Sequence, residues 1–425
     1  MEVHLHPQNR KLKYRSTHYA LKTMHLIKHT TLDIRPARNE ELEELLVVLC
    51  ASFNLNLDAA RALFYEDPLF QLDHKWIASD GKRIVSTLTL IPVPMRVGNA
   101  IVSSAGIAGV ATHPDFRSMG YASALLEECL RQLPKMGYVA AGLIPVQYGF
   151  YRRFGFEMAA TTTSLRLSPA SLPRYIEGTD CRRMNVEDEE DVKIIHEAST
   201  KGRTGIIERD ETRWRFLFWN NRQRIVWGNP VQAYLIYELG YDQETIIKVR
   251  EMFWSTDAGR RGVIGFLGRN EERAAKIEYI GWHEDVRALS EVGLESKPND
   301  PNVSLIEMRE MPSFMWRIVD FPGALRAISS NFPKDMPTLT LQVDDPALEW
   351  NRLPVVLPSL EVLPTKAKIN AQMDIQTFSQ LHLGLIDPGQ AYASRLLKAD
   401  TPQTLETLQT LFPLRHPSML ATDQF

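Results

Sequence analysis

The sequence predicts an α/β protein made of two similar mixed units and a smaller third unit. Three observations carry this. A chain of 425 residues, 44% of them hydrophobic, is long and apolar enough for two to four domains at roughly 100–200 residues each. The order of strand-like and helix-like runs over about 31–160 returns over about 161–303, which an internal duplication explains most simply. After the breaker-rich stretch ESKPNDPN the composition changes again, marking a third unit over 304–425.

The elements follow in chain order. Residues 1–30 hold five of the eleven histidines, six Lys/Arg and one acid without a core pattern. They are expected to form a flexible basic tail, with metal capture by His4 and His6 the weaker alternative to loose surface histidines. Thr31–Ala37 reads as an opening strand, and the acids and apolar period after Asn39 as a helix. A short helix, Asp58–Tyr65, precedes three β-rich runs, KWIAS, RIVSTLTLIPVPMRV and AIVSSAGIAGVAT, joined by DGK and GNA turns. Then come the loop HPDFRSMG, the amphipathic helix YASALLEECLRQLPKMG and the buried strand YVAAGLIP. In the second unit MNVEDEEDVKIIHEAST is strand and helix, and AYLIYE and TIIKVREMFWST are strands before AGRRGVIGFLGRNEERAAKIEYIGW. The third unit shows MWRIVDFPGALRAI, the strand LTLQV and helices near DIQTFSQLHLGL and GQAYASRLL.

Composition excludes several function classes. Lys+Arg 49 against Asp+Glu 52 gives a net charge of -3, so no general basic field holds nucleic acid or anionic membrane. The three cysteines, Cys50, Cys129 and Cys181, form no CxxC pair, so neither a disulfide framework nor a cysteine zinc site is expected. With no metal site expected and no apolar run long enough to span a membrane, the expectation is a cytoplasmic protein.

The specific signal is VATHPDFRSMGYASALL, where Arg117, Gly120 and Ala122 stand at a strand-to-helix junction. First-turn N–H groups lack intrahelical partners and sit at the positive end of the helix dipole, which makes an anion site. Gly120 and Ala122 let phosphate oxygens approach the amides of Ser118, Met119, Gly120, Tyr121, Ala122 and Ser123, and Arg117 adds charge.

The pattern resembles the acyl-CoA motif of GNAT acetyltransferases. The resemblance implies a strand splayed from its neighbour, with the main chain of Val110, Ala111 and Thr112 free to pair with pantetheine. Val146 and Gln147 would form the opposite wall. In YGFYRRFGFEMA, Tyr151 falls where many members carry a general acid, although it could equally be a packing tyrosine with its hydroxyl on a carbonyl. His113 is the rival acid-base group, and its place beside Pro114 reads as a loop position.

A shift of 142 residues lays Met252, Trp254, Gly259, Gly262 and Ile264 over Val110, Thr112, Arg117, Gly120 and Ala122. The arginine is lost, a branched residue replaces the small one and a tryptophan is expected in the groove, so this copy should be structural.

Two GNAT units, the first active and the second degenerate, before a third domain resemble the Eis (enhanced intracellular survival) acetyltransferases. The resemblance implies a sterol-carrier-like third domain, acetyl-CoA as co-substrate, a primary amine acceptor of polycationic type (aminoglycoside or polyamine) or a lysine side chain, direct transfer in a ternary complex, and a homohexamer. It also implies that the carboxylate of Phe425 is the general base; on the residues alone an aromatic tail docks or frays. Within NLNLDAARALFYEDP, Asp58, Phe64, Tyr65, Glu66 and Asp67 are pocket candidates, or else a solvated helix face. Longer acyl groups, a non-catalytic acyl-CoA sensor or assembly protein, and a lipid carrier are the other readings.

Overall fold

The computed structural model describes residues 32–66, 69–219, 222–296 and 306–425. The 1–30 tail lies outside them. Three sheets organise the chain. The first runs in the order Asp33–Pro36, Lys75–Ser79, Ile84–Pro92, Ser104–Thr112, Ala140–Leu143, Met315–Ile318, Glu157–Met158. All its neighbours are antiparallel except Ser104–Thr112 and Ala140–Leu143, which pair in parallel only from Ser104–Ala140 to Gly106–Gly142. Beyond Gly106 the two strands part.

Helices Leu42–Phe53 and Tyr121–Gln132 cover this sheet. In the second of these, Leu125, Leu126, Cys129 and Leu130 recur at three- and four-residue spacing and are all buried. In the Leu42–Phe53 helix, Leu45 and Val48 pack with Ile77, Ile84 and Ala111. The run expected as one strand through RIVSTLTLIPVPMRV breaks at Pro92. Proline has no N–H for a ladder, and Met95–Val97 folds with Ala100–Val102 into a separate ribbon. That ribbon reaches the second unit, where the Arg96 amide donates to the Ile206 carbonyl at 2.8 Å.

The second sheet orders Arg182–Arg183, Gln223–Trp227, Ala233–Asp242, Glu244–Trp254, Lys276–Gly281, Thr161–Leu167 and Glu307–Pro312. The third, five-stranded, centres on Leu339–Asp344. Its Phe321, Phe378 and Phe412 fill the space under the helices in edge-on pairs, with centroids 4.8 Å and 5.9 Å apart.

The boundary expected at 304 needs correction. Glu307–Pro312 pairs with Thr161–Leu167 in the second sheet, and Met315–Ile318 enters the first sheet beside Ala140–Leu143. Buried Arg317 on that strand donates from Nη2 to both carboxylate oxygens of Asp345 in the third unit, at 2.8 and 2.7 Å.

Candidate acyl-transfer site

The groove begins where the two central strands of the first sheet part. A cavity of about 370 Å³ is lined there by Val110, Ala111, Thr112, Arg117, Ala122, Val146, Gln147 and Tyr151. Eight of the residues expected from sequence are thus together. Ser52, Phe53 and Phe150 join them; the first two come from the end of the Leu42–Phe53 helix, which no local motif marked. The Ser52 hydroxyl donates to the Thr112 carbonyl at 2.9 Å, and the Ser86 hydroxyl to that of Ala111 at 2.7 Å. The Ala111 and Thr112 carbonyls, expected to be free for pantetheine, therefore already accept protein hydrogen bonds. Arg117 reaches over the same rim, its Nη2 donating to the Ser52 carbonyl at 3.2 Å.

The anion site has the backbone it needs. Gly120 caps the Tyr121–Gln132 helix with φ of 85° and no capping side chain, and Ser118 also has positive φ, 63°. Among the described residues nothing takes the N–H groups of Ser118 to Ser123. A Cβ at Gly120 would meet open space, so the glycine is there for its left-handed backbone rather than for room. Uncapped amides facing free space suit a pyrophosphate. Ser118, Met119, Gly120 and Tyr121 do not line the groove itself, and Ser123 lines a neighbouring cleft with Arg131 and Arg153.

Tyr151 sits on the short helix Tyr148–Arg152, buried against Phe150 and Phe156 with centroids 5.0 and 6.2 Å away. Burial pushes its phenol above the ordinary 10, so it stays protonated at neutral pH. Among the described residues its hydroxyl is not tied to a carbonyl, while its ring packs in the first unit's core. His113 instead caps a turn, its Nδ1 accepting from the Asp115 amide at 3.3 Å.

Phe425 lies at the fork. A Cβ on Gly106, the last residue of its strand paired with Ala140–Leu143, would stand 2.5 Å from the Phe425 Cε2. The last residues line a second cavity of about 200 Å³ with Lys75, Thr89, Ile91 and Arg213. Thr89 and Ile91 pair with Ala108 and Gly106, which puts this cavity along the same strand as the groove. Of the pocket candidates, Phe64 packs under Lys75, whose Nζ is 4.7 Å from the ring. Asp58 is exposed and paired with Arg61, and Tyr65 donates to Glu43, so these two form a solvated face. Asp67 and the Glu66 side chain lie outside the described residues.

The second unit differs from expectation in its mechanism of loss. Its strand ends at Trp254 and its helix starts at Asp257, so the long loop that carries Arg117 and Gly120 in the first unit has no counterpart. The single shift of 142 residues fails beyond the strand. The Thr256 hydroxyl caps the helix by accepting from the Gly259 amide at 3.1 Å, occupying the anion site from within. Gly259 and Gly262 serve close packing: a Cβ would be 2.8 Å from the Gln232 carbonyl and 2.5 Å from the Trp227 ring. Trp254 packs on the core under that helix.

Comparison with known proteins agrees with this layout. Residues 33–159 and 205–318 each match a family described as an acetyltransferase (GNAT) domain, and 321–420 a sterol carrier protein domain. An uncharacterized N-acetyltransferase of Streptomyces avermitilis is 25% identical over 193 residues, 43% of this chain and 46% of its own length. Another, of Streptomyces griseus, is 31% identical over 154 residues, 32% of this chain and 35% of its own. The chain thus spans less than half the length of these relatives. A GCN5-related N-acetyltransferase of Anabaena variabilis superposes with a TM-score of 0.76 at 19% identity, covering 93% of this chain and 100% of its own. Eis1 of Mycobacterium abscessus does so at 0.69 and 18%, with the same coverage. The fold is two GNAT domains followed by a sterol-carrier-type domain.

Proposed function

We propose that this Eis-like GNAT protein is an acetyl-CoA-dependent N-acetyltransferase whose first unit transfers an acetyl group directly to a primary amine in a ternary complex. The observation that carries this is that the Ser104–Thr112 strand borders both the groove lined by Tyr151 and the cavity lined by Phe425, with the Phe425 ring against Gly106. Acetyl-CoA supplies a thioester, which an unprotonated amine can attack. The amides of Ser118–Ser123, with Arg117, hold its phosphates, and the splayed strand orients the pantetheine arm through main-chain groups other than the Ala111 and Thr112 carbonyls, which Ser86 and Ser52 already take. Tyr151 delivers its hydroxyl proton to the departing sulfur. The Phe425 carboxylate takes a proton from the ammonium through water, because only the neutral amine is a nucleophile.

A polycationic acceptor is what the family resemblance implies. A lysine side chain is the other acceptor class it implies. The hexamer implied by the resemblance is read by light scattering.

The test is CoA release with acetyl-CoA and an amine panel containing both classes, on the chain ending at Phe425 and on one extended by a few residues. Turnover only with the unextended chain is expected. Tight acetyl-CoA binding without turnover on any amine would replace the proposal with the sensor reading, and equal turnover of the extended chain would remove the carboxylate as base.

A further inference from the structure

A closed ion cluster lies inside the second unit, away from the groove. Arg209 donates from Nε to Asp423 Oδ1 at 2.8 Å, from Nη1 to Glu251 Oε1 at 3.1 Å, and from Nη2 to Glu251 Oε2 at 2.6 Å and the Thr422 hydroxyl at 2.8 Å. The Thr422 hydroxyl donates in turn to Glu251 Oε2, and the Tyr234 hydroxyl to Glu251 Oε1 at 2.5 Å. His196 Nδ1 stands 3.3 Å from Glu251 Oε1. Glu251 is fully buried and Arg209 nearly so. Burial alone would raise the Glu251 carboxyl, but the Arg209 charge and the hydrogen bonds from His196 and Arg209 hold it well below the ordinary range.

Stability alone is a poor explanation for such a cluster. Buried ion pairs roughly break even against apolar packing, and Asp423 Oδ2 is buried without a partner, which is a further cost. What the cluster does achieve is geometric. Two of its members, Asp423 and Thr422, are the third and fourth residues from Phe425 counted inclusively, and both line the cavity that Phe425 enters. Glu251 stands at a strand irregularity between Ile236 and Tyr237 on the partner strand. The matching strand of the first unit has its own irregularity near Gly109, within the splay. The degenerate unit's counterpart of the acyl-CoA strand is thus an anchoring strand.

We infer that Arg209, Glu251 and Asp423, with Thr422, form a clamp in the second unit that positions Phe425 in the first unit's active site. They are positioning residues, acting through the last residues of the chain, and this rests on the reading of Phe425 as the base. A fixed base matters because proton transfer tolerates little displacement: an error of about 1 Å can cost roughly 10²-fold.

The test compares Asp423→Asn, Glu251→Gln and Thr422→Val, with a chain ending at Gln424 as reference. Readouts are kcat, KM for each substrate, acetyl-CoA affinity by titration, and the rate at which carboxypeptidase releases the last residues. A clamp predicts a kcat loss of about tenfold or more, unchanged acetyl-CoA affinity, and faster release of Phe425 in step with the lost turnover. Thr422→Ser, which keeps the hydroxyl, should recover most of the Thr422→Val loss. If a charge variant does not fold, Thr422→Val, a methyl-for-hydroxyl change, decides. Folded variants with normal kcat and normal carboxypeptidase resistance overturn the clamp. Full turnover by the chain ending at Gln424 would overturn the base reading instead, leaving carboxypeptidase release to judge the clamp.

Discussion

Gly106→Ala places a methyl group where the Phe425 ring now stands. The new Cβ would lie 2.5 Å from Cε2 and 2.8 Å from Cδ2 and Cζ. Carbon atoms pack at about 3.5–4.0 Å, so the ring must retreat by about 1 Å. Because Phe425 lies in no helix or strand, its ring can move without dragging one, and the stability cost should fall at the low end of the roughly 1–3 kcal/mol typical of overpacking. The same retreat displaces the proposed base, which at about 1 Å costs roughly 10²-fold in rate. The assay is initial-rate CoA release beside a thermal melt and an acetyl-CoA titration. Loss of kcat with melting and affinity nearly unchanged is expected. In a Phe425→Ala background, where the ring is gone, Gly106→Ala should add little further loss. A kcat within twofold of wild type would refute the proposed contact between this ring and the chemistry.

Two further outcomes follow from the same geometry. Arg117→Ala should weaken CoA binding by roughly 1–3 kcal/mol with little effect on kcat at saturation, since a phosphate contact is lost and no proton is moved; unchanged affinity by titration would place Arg117 outside the site. Burial pushes the His382 imidazole down to about 4 from 6.5, with Nε2 3.3 Å from the Ala324 carbonyl and Nδ1 unpartnered. The unfolded chain therefore takes up the proton first, and stability should fall by about 3 kcal/mol as pH drops from about 6.5 to about 4; denaturant titrations should show this slope flattened in His382→Gln, and an unchanged slope would contradict it.

Much of the site was legible because it is local. The strand, the loop with Arg117 and Gly120, and the following helix are contiguous in sequence, and an uncapped helix start in a strand-helix-strand setting can hold an anion as well as simply begin a helix. Ser52 was not legible, since its approach to Thr112 depends on how one helix lies across the sheet. Nor was the entry of Met315–Ile318 into the first sheet, because strand pairing across so many residues leaves no local trace. The break at Pro92 was visible as Pro-Val-Pro and was overridden by the apolar run around it. In the second unit the glycines had the right spacing for the wrong reason: they allow helix packing, and the deleted loop shifts the alignment. The clamp joins residues at 209, 251 and 423, and each taken alone reads as a surface charge.

The central claim, direct acetyl transfer with Tyr151 as proton donor, is tested most directly by Tyr151→Phe, which removes one hydroxyl and keeps the ring against Phe150 and Phe156. Single-turnover transfer from acetyl-CoA, measured beside acetyl-CoA affinity, should slow by about 10²–10⁴-fold while the affinity holds. Transfer at a near-normal rate would contradict the account and move the acid elsewhere.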